Sequence, residues 1–509
     1  MLGSEKNNIS IFQKIFVFLF VIVILSLEFC LYYFAIFSED NFPWALIIVR
    51  AIGTVCILYI SGKRENTNYK LSWSIFILVM PVTSTLAFFL FGNKKHIPHR
   101  KFKKIMKYIS SQLPDDQITE KMKEADPVGY RYLKLLHTST SYPALRNTQA
   151  IFYADTSQKF DAMLNDMQHA QKFIFLEYFI VSKGYVWERV KKILLEKAAE
   201  GVEIKFIYDD IGSKMTVPKK DFRKLNREKN ITIRAYNPMG FASLGMNYRD
   251  HRKICVVDGK YAYVGGDNLA DEYIHRKKRF GFWRDNAIRI EGDAVYNFTL
   301  LFAQNWYMTT SQMMDVSQYK ENHQIEANSI HIPFGDGPEN RVDSAYDLMK
   351  SMIANAKDYI YISTPYFIID ESFIQEIATA VRSGVDVRIL VPHIPDKKFV
   401  FRMTRAHYRN ILEAGGKIYE YTPGFNHAKN IISDDKYALT GTINCDYRSL
   451  FLHFECGDFM LYDPIILEMK KDFEQAISVS KEVTYEQWKK RSLYQKIVEF
   501  LLRAISPLL

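Results

Sequence analysis

Two short segments share one pattern of residues whose types suit chemistry at phosphorus. His251, Lys253, Asp258, Gly265 and Asn268 stand in the order H-x-K-x4-D-x6-G-x-x-N. His427, Lys429, Asp434, Gly441 and Asn444 repeat it without a gap. One such match arises by chance with a probability on the order of 10⁻⁴ in a chain this long. Two matches at equivalent places in a repeat are not accidental. On a strand, His and Lys two residues apart share a face. A neutral imidazole is a competent nucleophile toward phosphorus, and an ammonium beside it neutralises the non-bridging oxygens. The Asn adds a hydrogen bond to the same oxygens. Two copies meeting across a pseudo-twofold axis place two His, two Lys and two Asn around one phosphate. One His then attacks while the other protonates the leaving alkoxide. The two lysines supply the positive charge, so this chemistry asks for neither metal nor cofactor.

The residues between Lys and Asp are apolar in both copies (Ile254 to Val257; Ile431 and Ile432), as a buried strand requires. Each Asp lies beyond that strand. By position alone, Asp258 and Asp434 brace the turn at its end rather than touch the phosphate.

The elements that must hold these residues are also duplicated. HAQKFIFLEYFIV and then AAEGVEIKFIYDD in the first half answer to NAKDYIYISTPYFII and then VRSGVDVRILVPH in the second. Each reads as helix, apolar strand, helix, Gly-Val turn and another strand. Such alternation predicts an α/β domain, duplicated, with mostly parallel sheet covered by helices on both faces. The expected lobes span 145–310 and 330–482, with a polar linker at 311–329. Tyr178, Phe179, Tyr366 and Phe367, at strand ends, would line a pocket or pack in the core.

Three apolar segments precede the lobes, at 15–37, 44–60 and 71–92, the first interrupted by Glu28 and the third by Pro81. A span needs about 20 apolar residues, so residues 1–92 read as a multi-pass anchor in the cell membrane. The stretch KKHIPHRKFKKIMK follows, with seven Lys or Arg and no acid. This opens a basic connector at 93–144, held near anionic headgroups or fixing topology, with the lobes on the cytoplasmic side. The net charge of +10 from 67 basic and 57 acidic residues is modest for the whole chain. The membrane segments argue against nucleic acid as the partner of these basic residues. Five cysteines without a C-x-x-C pair point to neither a disulfide framework nor a zinc site. At the end, residues 483–509 begin with a capping box at Thr484. Leu493, Ile497, Phe500, Leu501 and Ala504 then fall on one helical face, which either lies on a membrane or packs on its own domain.

The paired motifs resemble the duplicated H-K-D motif of the phospholipase D superfamily. That resemblance implies two pseudo-twofold-related mixed-sheet lobes flanked by helices. It counts His251, Lys253, Asp258, His427, Lys429 and Asp434 as the catalytic motif, with Asn268 and Asn444 contacting substrate. In that family a Glu eleven residues after the motif Asn orients the His through its other ring nitrogen. The second copy has Glu455 there, whereas the first has Arg279, inside what looks like the insertion DEYIHRKKRFGF; Asp285 just beyond it is the implied counterpart. The order of parts, with RENTNYKLSWSIFILVMP, FLFGNKK, LEYFI, STPYF and the closing SPLL, resembles the bacterial cardiolipin synthases over nearly the whole chain. It implies transfer of a phosphatidyl group from one phosphatidylglycerol to another, giving cardiolipin and glycerol through a phosphohistidine, at an anionic membrane. By the same analogy His251 is the nucleophile. The alternatives are another phosphatidyltransferase or hydrolase of this type, or an inactive lipid-binding scaffold. The sequence carries no sign of oligomeric state.

Overall fold

The repeat becomes two sheets, one per half, in a computed structural model that describes residues 26, 28–30, 33, 43–92, 99–118, 120–238, 247–277 and 280–508. The first sheet takes β1 (Thr148–Tyr153), β2 (Phe173–Tyr178), β3 (Glu203–Asp209), β4 (Ile231–Tyr236), β5 (Lys253–Val257), β6 (Tyr261–Gly265) and β8 (Ala287–Gly292). Their order is β1-β8-β6-β5-β2-β3-β4. The short β7 (Phe282–Arg284) stands outside it. The second takes β9 (Ile330–Asp336), β10 (Tyr359–Ser363), β12 (Asp386–Pro392), β13 (Lys417–Tyr421), β15 (Asn430–Ser433), β16 (Tyr437–Gly441), β18 (Glu455–Leu461) and β19 (Ser480–Glu482). Their order is β19-β13-β12-β10-β15-β16-β18-β9. β11 (Phe367–Ile368), β14 (Gly424–Asn426) and β17 (Cys445–Asp446) are short strands outside it.

The expectation of mostly parallel sheet holds only for β2-β3-β4 and β10-β12-β13; every other pairing in the two sheets is antiparallel. The reason lies in the motif. Each H-x-K strand turns straight back into the strand leading to G-x-x-N, so β5–β6 and β15–β16 are hairpins. Asp258 and Gly259 have φ of 54° and 70°, and Asp434 and Asp435 have 54° and 57°. Two successive left-handed residues are what a tight hairpin turn needs, and Asp and Gly tolerate them.

β2 and β5 are buried on both faces. One apolar core joins residues of both halves, including Phe175, Val256, Phe334 and Ile362, around the helix Val295–Thr310, which is buried nearly all round. A second cluster fills the other face of the first sheet, around Trp187, Phe206 and Leu176. The segment 93–144 is more than a connector. Its helices His99–Ser110 and Pro127–Thr140 bury Ile105, Ile109, Tyr132, Leu133 and Leu136 in the shared core. The linker is ordered as well: Tyr319 packs edge-on to Phe173 at 4.8 Å.

Taken by itself, the N-terminal unit contains the helices Pro43–Ser61, Thr67–Val79 and Pro81–Ala87 around a small core of Cys56, Ile60, Trp73, Ile77 and Phe88. Buried Glu28 accepts the backbone N–H groups of Val82 and Thr83, both at 3.0 Å, which accounts for an acid inside an apolar run. Among the described residues no helix is long and apolar enough to cross a membrane. Most of the expected first span, 15–37, lies outside the described residues. At the other end, the helix Leu493–Ile505 leaves Leu493, Ile497, Phe500 and Leu501 exposed and buries Glu499 on Arg491 instead. Its apolar face is therefore not packed on its own domain.

Candidate active site

Each motif histidine sits just before the first strand of its hairpin and is fastened to the other half of the molecule. The His251 backbone N–H donates to Phe454 O at 2.9 Å, and that of His427 to Arg284 O at 2.6 Å. Those carbonyls immediately precede Glu455 and Asp285. The side chains follow the same exchange. His251 Nδ1 lies 2.9 and 3.0 Å from the two Glu455 oxygens, and His427 Nδ1 lies 2.6 Å from Asp285 Oδ2. A parallel ladder between Gly424–Asn426 and Phe282–Arg284, and a bridge between Asp250 and Phe454, make the crossing rigid. Glu455 thus serves the histidine of the other copy, a pairing across the pseudo-dyad that motif spacing does not reveal. With Nδ1–H held by a carboxylate, Nε2 of each ring carries the free lone pair.

The carboxylates are themselves held. Thr442 Oγ1 donates to Glu455 Oε2 at 2.5 Å and Ser449 Oγ to Oε1 at 2.7 Å. Arg252, between His251 and Lys253 on the opposite face of the strand, donates Nε–H to Glu455 O at 3.1 Å. Lys253 Nζ donates to His251 O at 2.5 Å, and Lys429 to His427 O, with its Nζ 3.0 Å from His427 Nδ1. Three pairs of ionisable residues are therefore buried together. Burial and the Lys253 and Lys429 ammoniums keep both His251 and His427 well below the usual imidazole range, hence neutral. Burial pushes Glu455 and Asp285 each up to about 7, with Lys253 opposing it at Glu455 and Lys429 at Asp285. Burial likewise lowers Lys253 to about 7 and Lys429 to about 8, against the pull of Glu455 and Asp285. Such mutual displacement of acid and base is what reacting sites show.

Asp258 and Asp434 stand apart from this cluster. Asp258 accepts the backbone N–H groups of Gln171, Lys172 and Phe173 at 2.7–2.9 Å, and Asp434 those of Lys357, Asp358 and Tyr359 at 2.9–3.0 Å. Seven residues of strand at ~3.3 Å each put them roughly 20 Å along the chain from their histidines. Counting them as catalytic is corrected to bracing, because their lone pairs are spent on the turn before β2 and β10. Asn268 is engaged too: Oδ1 accepts Ile180 N–H at 2.9 Å and Nδ2 donates to Tyr273 Oη at 2.7 Å. Asn444 Oδ1 is buried without a partner. Phe179 stands edge-on to His251 at 4.8 Å, whereas Tyr178 and Phe367 are core residues. In the basic insertion, Arg276 stacks on Tyr185 and Lys277 pairs with Glu272.

Two aromatic neighbours escaped motif reasoning. His453 lies 5.4 Å from His251, and Trp283 lies 5.4 Å from His427. Aligning the two halves at Glu455 and Asp285 would have found them, since each stands two residues before its carboxylate. Among the described residues His251, His453 and Glu455 each offer an atom within 4.8 Å of the others, a donor set of zinc type. Glu455 is already taken by three side-chain donors, and the positive charges of Lys253, Arg448 and Arg249 act on His453. The pocket suits an anion better than a dication.

Comparison with known proteins agrees with this geometry. A family model described as "Cardiolipin synthase, PLD-like domain" matches residues 163–306 and 349–477, more than half of the chain and both lobes. The chain belongs to the phospholipase D-like cardiolipin synthase family. Among its relatives, "Cardiolipin synthase 2" of Bacillus cereus is 33% identical over 469 residues, covering 89% of each chain. "Cardiolipin synthase" of Halalkalibacterium halodurans is 32% identical over 481 residues, covering 91% of this chain and 93% of the relative. An uncharacterized protein of Streptococcus mutans is 37% identical over 460 residues, covering 89% of this chain and 99% of the relative. In fold, the chain is similar to the crystal structure of phosphatidylserine synthase from Haemophilus influenzae, with a TM-score of 0.56 over 75% of this chain and 98% of that one at 16% identity.

Proposed function

We propose that this enzyme transfers a phosphatidyl group from one phosphatidylglycerol to a second, giving cardiolipin and glycerol. The observation that carries the reading is the reciprocal holding of two neutral histidines by buried carboxylates, with a buried lysine beside each. In the first step His251 Nε2 attacks phosphorus, and the P–O bond to glycerol breaks. His427, which takes up a proton at Nε2 when the anionic diester binds, gives that proton to the oxygen, leaving a phosphatidyl-histidine and free glycerol. In the second, a terminal hydroxyl of another phosphatidylglycerol attacks phosphorus. His427 takes its proton, the P–N bond breaks, and His251 is restored. Lys253 and Lys429 neutralise the non-bridging oxygens throughout. One phosphodiester replaces another, so no nucleotide is consumed.

The same reading places the enzyme at the cell membrane, with residues 1–92 as a multi-pass anchor and the lobes on the cytoplasmic side. Support comes from the exposed apolar side chains of the N-terminal helices, among them Trp44, Ile48, Val55, Leu58, Leu71 and Leu78. The apolar face of Leu493–Ile505, bordered by Lys489, Lys490 and Lys496, is the second support. A surface-bound transferase meets lipid alcohol at high local concentration, which favours transfer over hydrolysis.

The test uses purified protein in detergent with phosphatidylglycerol as the only phospholipid, no nucleotide, and a metal chelator. Equimolar cardiolipin and glycerol from wild type, and none from His251→Ala or His427→Ala, is the expected result. Phosphatidic acid in place of cardiolipin would make the enzyme a hydrolase; no product would refute the reading. Flotation with phosphatidylglycerol–phosphatidylcholine vesicles, wild type against Phe500→Asp/Leu501→Asp, tests the helix: equal binding would remove it from the interface.

A further inference from the structure

Two connections border the motif histidines, one in each half, and they answer to each other. Each follows the middle strand of its parallel trio, β3 or β12, and runs into a short helix, Lys219–Leu225 or Lys398–Ala406. The first is stitched to the strand end beside His251. Ser213 Oγ donates to Phe179 O and accepts the Val181 N–H, both at 3.0 Å, and Thr216 Oγ1 donates to Val181 O at 2.9 Å. Asp209 accepts the Ile211 and Gly212 N–H groups at 2.9 and 2.8 Å. The second is fastened on the His427 side. Tyr366 Oη donates to Asp396 Oδ2 at 2.7 Å, and the Tyr366 ring lies 6.3 Å from Phe425, itself 5.8 Å from His427. Each held backbone presents an apolar side chain to solvent: Met215 is 92% exposed and Phe399 40%. Exposed lysines flank both, Lys214 beside Met215 and Lys397 and Lys398 beside Phe399.

We propose that these two connections form a docking surface on which the catalytic lobes rest against an anionic lipid bilayer, with the lipid headgroup drawn in between them. This deepens the reading of phosphatidylglycerol as the substrate and rests on it. A twofold axis carries a point on one half to the same height along the axis on the other, so matched rims meet one plane, as a bilayer surface requires. The charge is complementary to anionic headgroups. Residues 210–220 carry three lysines against Asp210, and 393–402 carry Lys397, Lys398 and Arg402 against Asp396, which Tyr366 engages. Each such cation adds attraction to an anionic surface, and an apolar side chain beside it enters the boundary between headgroups and acyl chains. A protein partner fits less well, because lysine is depleted from the cores of protein interfaces. The second rim also continues into the helix Leu493–Ile505. The Arg402 guanidinium stands 5.9 Å over the ring of Tyr494, an exposed residue in the first turn of that helix.

The experiment compares two presentations of one substrate to the full-length enzyme in lipid nanodiscs. In one, long-chain phosphatidylglycerol is part of the disc; in the other, the disc is phosphatidylcholine and dihexanoyl phosphatidylglycerol is added as dissolved monomers. Met215→Asp/Phe399→Asp is expected to lower cardiolipin formation from the bilayer substrate about tenfold, the scale of one apolar side chain's transfer. It keeps formation from the dissolved substrate within about threefold. Lys214→Glu/Lys398→Glu, which leaves the apolar side chains in place, shows the same split, and high salt narrows its gap from wild type by screening the attraction. A thermal melt confirms that each variant is folded. Independently of turnover, hydrogen exchange at 212–217 and 396–402 of wild type is slower in discs containing phosphatidylglycerol than in phosphatidylcholine discs. Wild-type activity of both variants on the bilayer substrate overturns the inference and leaves the transferase reading intact. A parallel loss on both substrates in folded variants also overturns it, making the connections part of the catalytic cleft. Self-association of wild type in sedimentation, lost in the variants, overturns it in favour of a second copy. No cardiolipin from wild type with either substrate overturns the transferase reading, and the exchange comparison then decides the docking surface by itself.

Discussion

Replacing Glu455 by Gln isolates the charge that holds His251 from the shape that surrounds it. The carboxylate receives His251 Nδ1–H and Ser449 Oγ on Oε1, and Thr442 Oγ1 on Oε2. Thr442 Oγ1 also takes the Cys456 N–H at 3.0 Å and lies 3.1 Å from Cys456 O. Its proton can therefore turn to that carbonyl, and Thr442 then accepts from an amide at the Oε2 position. The Gln oxygen stays toward His251, the tautomer survives, and the fold loses little. What is lost is the negative charge facing an imidazole that, in the proposed mechanism, becomes positive as it bonds to phosphorus. A charge-assisted bond exceeds a neutral one by about 1–2 kcal/mol, and the low-dielectric setting brings the total to about 3 kcal/mol. That corresponds to a fall in kcat of about a hundredfold. Glu455→Ala, which frees the ring and its tautomer, is expected to cost about 10⁴-fold. Initial rates of cardiolipin formation give kcat, and a thermal melt controls for folding. In ¹⁵N-histidine-labelled enzyme, Glu455→Gln moves the His251 ring signals and leaves those of His427 in place. Activity within threefold of wild type, or movement of the His427 signals instead, would refute the cross-lobe pairing as the basis of reactivity.

Asp258→Ala removes three backbone acceptor bonds from one buried turn and is expected to lower stability by about 3 kcal/mol. The melting temperature falls by several degrees while kcat of the folded fraction, assayed well below the melt, stays within about threefold. Asp434→Ala behaves alike, and a hundredfold loss of kcat without destabilisation would restore a catalytic role. The pH dependence of kcat/KM should be a narrow bell between about 7 and 8. Below it Glu455 and Asp285 take up protons and no longer accept from the histidines; Lys253 from about 7 and Lys429 from about 8 lose the charge that neutralises phosphate. The limbs belong to the coupled cluster rather than to single residues, and a flat profile from pH 5 to 10 would contradict it.

Residue spacing alone settles the parts that depend on short-range order. The motif pair, the strand between Lys and Asp, and the bracing position of Asp258 and Asp434 all follow from a two-residue side-chain period and a tight turn. So does the duplication, since each copy repeats the same order of helix, strand and Gly-Val turn. The tertiary structure alone decided which carboxylate holds which histidine. Glu455 is 204 residues from His251, and Asp285 is 142 from His427. No local pattern can assign such partners; packing across the pseudo-dyad does. It also decided that the sheets are mainly antiparallel, because hairpins interrupt the helix–strand alternation, and that residues 99–140 belong to the core. His453 and Trp283 lay in apolar surroundings where a lone ring carries no periodic signal. They became legible only when each was seen beside a motif histidine, with its polar nitrogens buried and without a hydrogen-bond partner.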